Sequence, residues 1–265
     1  MVLNNFRHVI KKYIDKPIDW FIAHNVSPNT LSFIGFSISV LAAIGYALPE
    51  IFIYRWYLAW VPVILFFISG FFDVLDGGVA RKSGQTSKFG GFLDSTLDRL
   101  GDGVVIFGLT YGGMFWRWDE NINNTLGFII FGIMVLISYT RSRAENEGVF
   151  MQGIGIMERA ERMFIIMGAY IIESSLKTSE LFKFNLYPDG TYHYRFFPVF
   201  SLVFLALCIQ TLVARVLHTY RWLSGKCSDK YLEKYDLIEK YEAYKKTTRE
   251  QNSKEKNQKS SKIKK

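Results

Sequence analysis

The chain has 265 residues, 49% of them hydrophobic and 21% charged, and its formal net charge of +8 is what a basic soluble protein would show. The charge is unevenly placed: residues 226–265 contain 13 Lys and Arg but 7 Asp and Glu, so most of the +8 lies there and the preceding part is far more apolar than the average. The two cysteines, Cys208 and Cys227, lie in an apolar stretch and in the tail, which excludes a disulfide scaffold and a Cys/His metal site.

The first 28 residues predict a helix that lies on a membrane surface. Phe6, Ile10, Tyr13 and Ile14 recur at helical spacing beside basic residues, a pattern typical of amphipathic helices in the headgroup region. We therefore expect residues 1–28 to form a cytoplasmic or interfacial helix.

Long uncharged stretches predict membrane-spanning helices in residues 29–222. Four stretches without Asp, Glu, Lys or Arg come close to the ~20 residues that cross a bilayer, namely 29–49, 56–72, 121–140 and 196–214. Two shorter stretches, 103–116 and 163–172, must continue through charged residues if they span, and charges inside a span indicate function. The expected fold is an all-α integral membrane protein with six transmembrane helices preceded by the interfacial helix.

Loop charges predict the orientation in the cell membrane. Arg and Lys are concentrated in four segments, 1–28, 73–102, 141–162 and 215–265, and are fewer in the alternate connections. The positive-inside rule therefore places both termini and the basic loops on the cytoplasmic side. Residues 223–265 are expected to form a basic cytoplasmic tail that begins with a helix-prone part and ends in a disordered Lys-rich part. The tail is either solvated or attracted to anionic membrane lipid.

Four aspartates occur in two pairs within residues 73–98. Asp73 and Asp76 are three residues apart, and Asp94 and Asp98 are four apart on the next helix, so each pair shares a helix face. Gathered carboxylates repel one another unless protons or cations neutralise them, and oxygen ligands suit Mg²⁺ or Mn²⁺. The pattern predicts a site for about two such ions, the alternative being carboxylates solvated at the membrane surface.

The same segment resembles a family signature. The pattern D-x2-D-G-x2-A-R-x8-G-x3-D-x3-D is present without a gap from Asp73 to Asp98, and it is similar to the signature of the CDP-alcohol phosphatidyltransferases. The resemblance implies a six-helix, usually dimeric membrane enzyme that displaces CMP from a CDP-linked lipid or alcohol with an acceptor hydroxyl. It also implies that Asp73, Asp76 and Asp94 bind the metals, and that Asp98 is both a metal ligand and the general base.

The resemblance further implies which residues contact the CDP-lipid. They are Asn29, Thr30, Leu31 and Ser32 at the start of the first span, where Ser32 replaces the commoner Thr, and Gly77, Arg81 and Ser87. No Cys or Ser is placed as an obvious nucleophile, so we expect direct displacement at phosphorus. Asp102 continues the row of Asp94 and Asp98 outside the signature, and we interpret it as a supporting residue or an arginine partner.

Arginines downstream predict a phosphorylated acceptor, because several guanidiniums near a bound diphosphate favour a second phosphate. The string S-Y-x-[RK]-x-R-A-E…E-R-x-E-R resembles the branch of the family that makes phosphatidylinositol phosphate in actinobacteria and archaetidylinositol phosphate in archaea. That resemblance implies acceptor-phosphate contacts from Arg141, Arg143, Arg159, Arg162 and Arg215, although Ala160 stands where Pro is common. Glu145, Glu158 and Glu161 are alternative partners of these arginines.

These features favour transfer of a phosphatidyl or archaetidyl group from a CDP-lipid to 1L-myo-inositol 1-phosphate with release of CMP. Glycerol 3-phosphate or another alcohol is an alternative acceptor, and a membrane cation-binding or transport protein is an alternative class. Arg81 argues against transport, because a cation beside a cation site helps only if an anion joins them. The expected partners are a CDP-lipid, a small phosphorylated alcohol, membrane lipid and a second copy of the chain, and the basic charge does not indicate nucleic acid.

Overall fold

The computed structural model describes residues 14–53, 57–116, 118–177 and 196–247, and within these ranges the chain is helical without β-strands. The all-α prediction is therefore confirmed for these residues. The described part of the chain contains ten helices in this order: α1 (14–23), α2 (Pro28–Ala47), α3 (Pro49–Phe52), α4 (Trp60–Ser83), α5 (Lys88–Tyr111), α6 (Glu120–Asn146), α7 (Arg159–Lys177), α8 (Phe196–Leu223), α9 (Asp229–Lys234) and α10 (238–247). The predicted interfacial residues Phe6, Ile10 and Tyr13 lie outside the described residues, as does the Lys-rich end, 248–265.

Among the residues that the structure describes, four helices are long and apolar enough to cross a membrane: α2, α4, α6 and α8. They contain or largely cover the four uncharged stretches of the sequence, and each has an apolar window long enough to cross a bilayer. Of the two short stretches, 103–116 begins in α5, which ends at Tyr111, and 163–172 lies within α7. Helix α5 extends back through charged residues to 24 residues, and α7 extends through charged residues at both ends to 19.

The chain divides into two compact units, the first comprising residues 1–131 and 162–203 and the second comprising 132–161 and 204–265. In the first unit, α2 packs against both α4 and α5. Small residues permit the close approach: a Cβ added at Gly45 would lie 2.8 Å from the Pro62 Cβ, and one at Gly108 would collide with the Ala43 carbonyl. Such small-residue contacts are typical of packed membrane helices.

Helix α1 packs on α4 through Ile18, which is buried with Leu75 and Val79. A Cβ at Gly78 would strike the Ile18 side chain, so the glycine makes room for α1. Lys82 and Asp19 form an ion pair of 2.5 Å at the edge of this contact. The opposite side of α1 leaves Trp20 exposed.

The second unit has its own apolar core at the C-terminal end of the described chain. Val149, Met151 and Ile154 pack there with Trp222 of α8 and with residues of the following helices, Leu232, Leu237 and Tyr241. The part of the tail that forms α9 and α10 is thus helical and packed against the unit. The division of the chain at residues 28 and 222 stays a prediction.

The close contact at Gly108 generates a prediction about stability. Gly108→Ala should lower the free energy of unfolding by about 1–3 kcal/mol, because the added methyl group meets backbone atoms of α2 that cannot rotate away. Gly168→Ala on α7 is the matched control, since its Cβ would enter open space. Thermal unfolding in detergent would measure both, and equal stability of the two variants would contradict the proposed tight contact.

Candidate functional site

A short turn brings the acidic ends of α4 and α5 together. Helix α4 ends at Ser83 and is followed by Gly84, whose φ of 72° is the left-handed conformation that terminates helices. Helix α5 begins after Ser87, whose side chain accepts a hydrogen bond of 2.9 Å from the Gly90 amide. Because only three residues separate the end of α4 from this N-cap, the last turns of α4 lie beside the first turns of α5.

Three of the four predicted carboxylates form a cluster across the two helices. Asp73 of α4 and Asp94 and Asp98 of α5 each offer one carboxylate oxygen, and these oxygens lie within 4.8 Å of one another. All three residues are half-buried. The donor set consists of oxygen alone, which fits a hard divalent cation such as Mg²⁺ or Mn²⁺. The residues present therefore fit a metal centre of the kind that the sequence predicts.

The fourth carboxylate, Asp76, has a different environment. It is 4% exposed, and its Oδ2 accepts a hydrogen bond of 2.5 Å from the Ser32 hydroxyl. A donor this close satisfies a carboxylate that would otherwise be costly to bury. Ser32, predicted as a contact of the CDP-lipid, thus also orients a predicted metal ligand.

A cleft of about 270 Å³ opens next to the carboxylates. Five of the predicted CDP-lipid residues line it, together with Asp76 and Asp94: Asn29, Ser32, Gly77, Arg81 and Ser87. The other two predicted contacts have different surroundings: Leu31 is fully buried in the apolar core, and the Thr30 hydroxyl lies 2.8 Å from that of Ser27.

The cleft also contains residues that the sequence analysis did not single out. Pro28, Gln85, Thr86 and Gly91 line it. Gln85 and Thr86 form the polar turn directly before the Ser87 N-cap. A glycine followed by polar residues and a capping serine is a sequence pattern that indicates such a turn.

Glycines keep the cleft open beside its charged groups. A Cβ at Gly77 would lie 3.2 Å from Nη1 of Arg81, and one at Gly90 would lie 3.5 Å from Oδ1 of Asn29. The first turn of α5 lines the same cleft and contains no acidic residue. The partial positive charge at the N-terminus of α5 is therefore available to an anion. The lining of the cleft therefore includes the acidic residues Asp76 and Asp94, while Arg81 and the start of α5 provide positive charge that attracts phosphate.

Asp102, one turn beyond Asp98, pairs with an arginine. Its Oδ2 lies 3.5 Å from Nη2 of Arg162, and both side chains are almost completely buried. The interpretation of Asp102 as an arginine partner is confirmed. The arginine concerned is one of those predicted to bind the acceptor phosphate.

The other predicted acceptor residues belong to the second unit. Arg141 pairs with Glu145 at 3.0 Å, one of the alternatives considered, and Arg143 pairs with Glu147 at 2.6 Å. Arg215 is 2% exposed and donates to the carbonyl oxygens of Ile137 and Ile154 at 2.6 and 3.1 Å. Arg159 is the first residue of α7.

Comparison with known proteins gives consistent results at the levels of family and fold. The CDP-alcohol phosphatidyltransferase profile matches residues 25–186. Archaetidylinositol phosphate synthase of Pyrococcus horikoshii is 36% identical over 175 residues, which are 65% of this chain and 84% of the relative.

Two crystal structures of Mycobacterium tuberculosis phosphatidylinositol phosphate synthase have a similar fold. The one with CDP-DAG bound has a TM-score of 0.61 at 24% identity and covers 79% of this chain and 94% of its own. The one in complex with manganese and citrate has a TM-score of 0.60 at 23% identity and covers 78% of this chain and 88% of its own.

The carboxylate cluster generates a prediction about metal binding. Mg²⁺ or Mn²⁺ at about 100 times its dissociation constant should stabilise the protein by about 2.7 kcal/mol, seen as a melting temperature several degrees higher than in EDTA. Asp94→Asn should remove most of this shift. Asp119→Asn is the control, because Asp119 is an exposed helix cap that asparagine can replace. An undiminished shift in Asp94→Asn would contradict the metal assignment.

Proposed function

The chain belongs to the CDP-alcohol phosphatidyltransferase family, and we propose that it transfers a phosphatidyl or archaetidyl group from a CDP-lipid to 1L-myo-inositol 1-phosphate and releases CMP. The observation that carries the proposal is the adjacency of the three-carboxylate cluster to a cleft lined by Arg81 and the start of α5. The name of the Pyrococcus relative supports the choice of acceptor.

The cleft accounts for recognition of the diphosphate. Arg81 and the first amides of α5 provide positive charge and hydrogen-bond donors for phosphate oxygens. Asn29 adds a polar side chain, and Gly77 and Gly90 leave space for the ligand to approach the backbone. These residues would bind the leaving CMP portion and fix the phosphorus that is attacked.

The cluster accounts for the chemistry. Asp73, Asp94 and Asp98 would hold Mg²⁺ or Mn²⁺, two ions in this proposal, with Asp76 as a fourth ligand oriented by Ser32. When bound, the ions neutralise charge on the diphosphate and on the departing phosphate.

The transfer is a single displacement at phosphorus. Asp98 accepts the proton of the acceptor hydroxyl. The hydroxyl oxygen then forms a new bond to the lipid-bearing phosphorus while the bond from that phosphorus to the CMP oxygen breaks. The products are the lipid phosphodiester and CMP, and the proton leaves from Asp98.

The arginines supply the proposed contacts to the acceptor phosphate, namely Arg141, Arg143, Arg159, Arg162 and Arg215. In this structure Arg141 and Arg143 pair with glutamates on their own helix. An incoming phosphate, which carries more charge than a carboxylate, would displace such exposed pairs at little cost. Arg162 pairs with Asp102, one helical turn from the proposed base.

The proposal includes six transmembrane helices, with α5 and α7 added to the four apolar ones. Asp102 of α5 pairs with Arg162 of α7, which is how charges are accommodated inside membranes. Asp94 and Asp98 face Asp73, where the proposed metal ions would neutralise them. Helix α1 would lie in the interface with Trp20 towards the headgroups. The active site and both termini would face the cytoplasm, and the enzyme would act as a homodimer.

An acceptor panel tests the function. Membranes containing the protein would receive labelled diacyl or archaeol CDP-lipid with inositol 1-phosphate, glycerol 3-phosphate or free inositol, in Mg²⁺, Mn²⁺ or EDTA. We expect CMP release that requires both inositol 1-phosphate and a divalent ion. Equal release with glycerol 3-phosphate would overturn the acceptor, and no release with any acceptor would favour a cation-binding or transport protein.

The base assignment gives a separate prediction. Asp98→Asn should lower kcat by about 10²–10⁴-fold, because the amide cannot take the hydroxyl proton. The variant should still fold, as judged by its elution from size-exclusion chromatography in detergent. Asp119→Asn should retain activity, and near-normal turnover by Asp98→Asn would rule out this residue as the base.

A further inference from the structure

The connection between α6 and α7, residues 147–158, is held by one face of α8. The Thr211 hydroxyl accepts from the Met157 amide at 3.2 Å, and Arg215 Nε donates to the Ile154 carbonyl at 3.1 Å. His218 Nε2 lies 2.9 Å from the Phe150 carbonyl oxygen. The spacing of 211, 215 and 218 places these side chains on one helix face, and all of them are buried.

His218 links this connection to the C-terminal helices. A carbonyl oxygen can only accept, so Nε2 carries the hydrogen. In the neutral imidazole, Nδ1 then accepts from the Tyr231 hydroxyl of α9, which lies 2.8 Å away. Burial raises the pKa of the Tyr231 phenol, which keeps its proton available for donation at neutral pH. A continuous chain therefore runs from the Tyr231 hydroxyl through the neutral imidazole to the Phe150 carbonyl.

Packing adds to this link. Leu232, Leu237 and Tyr241 of residues 229–247, here called the C-terminal segment, lie in one core with Val149 and Met151. The ammonium of Lys240 lies 3.3 Å from the centre of the Phe150 ring, a favourable cation–π contact.

The connection needs such support because its backbone is intrinsically free. Gly148, Gly153 and Gly155 adopt φ values of 77°, 77° and 95°, and glycines lose the most conformational entropy when they are fixed. The fixed part reaches almost to α7: Met157 bonds to α8, and Glu158 Oε1 accepts from the Gly153 amide at 3.3 Å. The next residue is Arg159.

We propose that the C-terminal segment and His218 are positioning elements of the enzyme, which fix residues 147–158 and thereby orient Arg159 towards the phosphate of the acceptor. The inference rests on the proposed function for the role of Arg159. It extends that function, because both His218 and the C-terminal segment lie beyond residues 25–186, which match the family.

The test uses Tyr231→Phe in the full-length protein, which removes one hydroxyl and keeps the ring. We expect the KM for inositol 1-phosphate to rise about three- to tenfold, the factor that one lost hydrogen bond produces. The KM for CDP-lipid and kcat should stay within about twofold of wild type. Hydrogen–deuterium exchange of residues 147–158 should become faster by a similar factor. Tyr220→Phe is the matched control, since Tyr220 is an exposed tyrosine of α8.

A conservative rescue separates positioning from packing. His218→Gln keeps an amide donor for the Phe150 carbonyl, whereas His218→Leu keeps only the approximate volume. The proposal predicts that His218→Gln is closer to wild type than His218→Leu, both in the KM for inositol 1-phosphate and in the hydrogen–deuterium exchange of residues 147–158. Equal effects of the two changes would indicate packing alone and would overturn it.

Two further outcomes complete the test. Unchanged exchange and unchanged acceptor KM in Tyr231→Phe would overturn the proposal. If the wild-type chain does not use inositol 1-phosphate, the proposed function fails, and the exchange measurement still decides whether the C-terminal segment fixes the connection. Should Tyr231→Phe not fold, Lys240→Gln at an exposed position is measured instead, with the same expected direction.

Discussion

Mutual repulsion of carboxylates gathered in a helical bundle is the constraint on which the rest of the site depends. Carboxylate oxygens of Asp73, Asp94 and Asp98 lie within 4.8 Å of one another, and a four-residue turn, 84–87, joins the two helices that carry them. Such a group is stable only with cations or protons among its oxygens. Each of the two neighbouring carboxylates has a partner that compensates its charge: the Ser32 hydroxyl donates to Asp76, and the Arg162 guanidinium pairs with Asp102. Arg81 lines the cleft next to the proposed metal site, and two positive groups side by side make sense if an anion joins them.

The helices and the acidic pairs could be predicted from the sequence because their signals are local. Uncharged stretches fix where α2, α4, α6 and α8 lie, and spacings of three and four residues place Asp73 with Asp76 and Asp94 with Asp98 on common faces. The polar turn before Ser87 is an equally local signal.

Contacts between distant residues could not be predicted in this way. Ser32 and Asp76 are 44 positions apart. No sequence periodicity indicates that a residue in the first turns of α2 orients a carboxylate of α4. Arg215 was expected at a phosphate and is buried here against two carbonyl oxygens. The sequence predicts a helix-prone start of the basic tail, but it does not indicate that Leu237 and Tyr241 share a core with Val149. In each case the contacting residue is determined by how the helices pack, and local sequence patterns do not reveal that packing.

The central claim is that the carboxylate cluster is the metal centre at which the diphosphate reacts. Anomalous scattering from crystals of the enzyme with Mn²⁺ and a CDP-lipid tests this most directly. We predict manganese within coordination distance of Asp73, Asp94 and Asp98, with the diphosphate between the metal and Arg81. Manganese bound elsewhere, or a diphosphate seated away from the cluster in a crystal of active enzyme, would contradict the account.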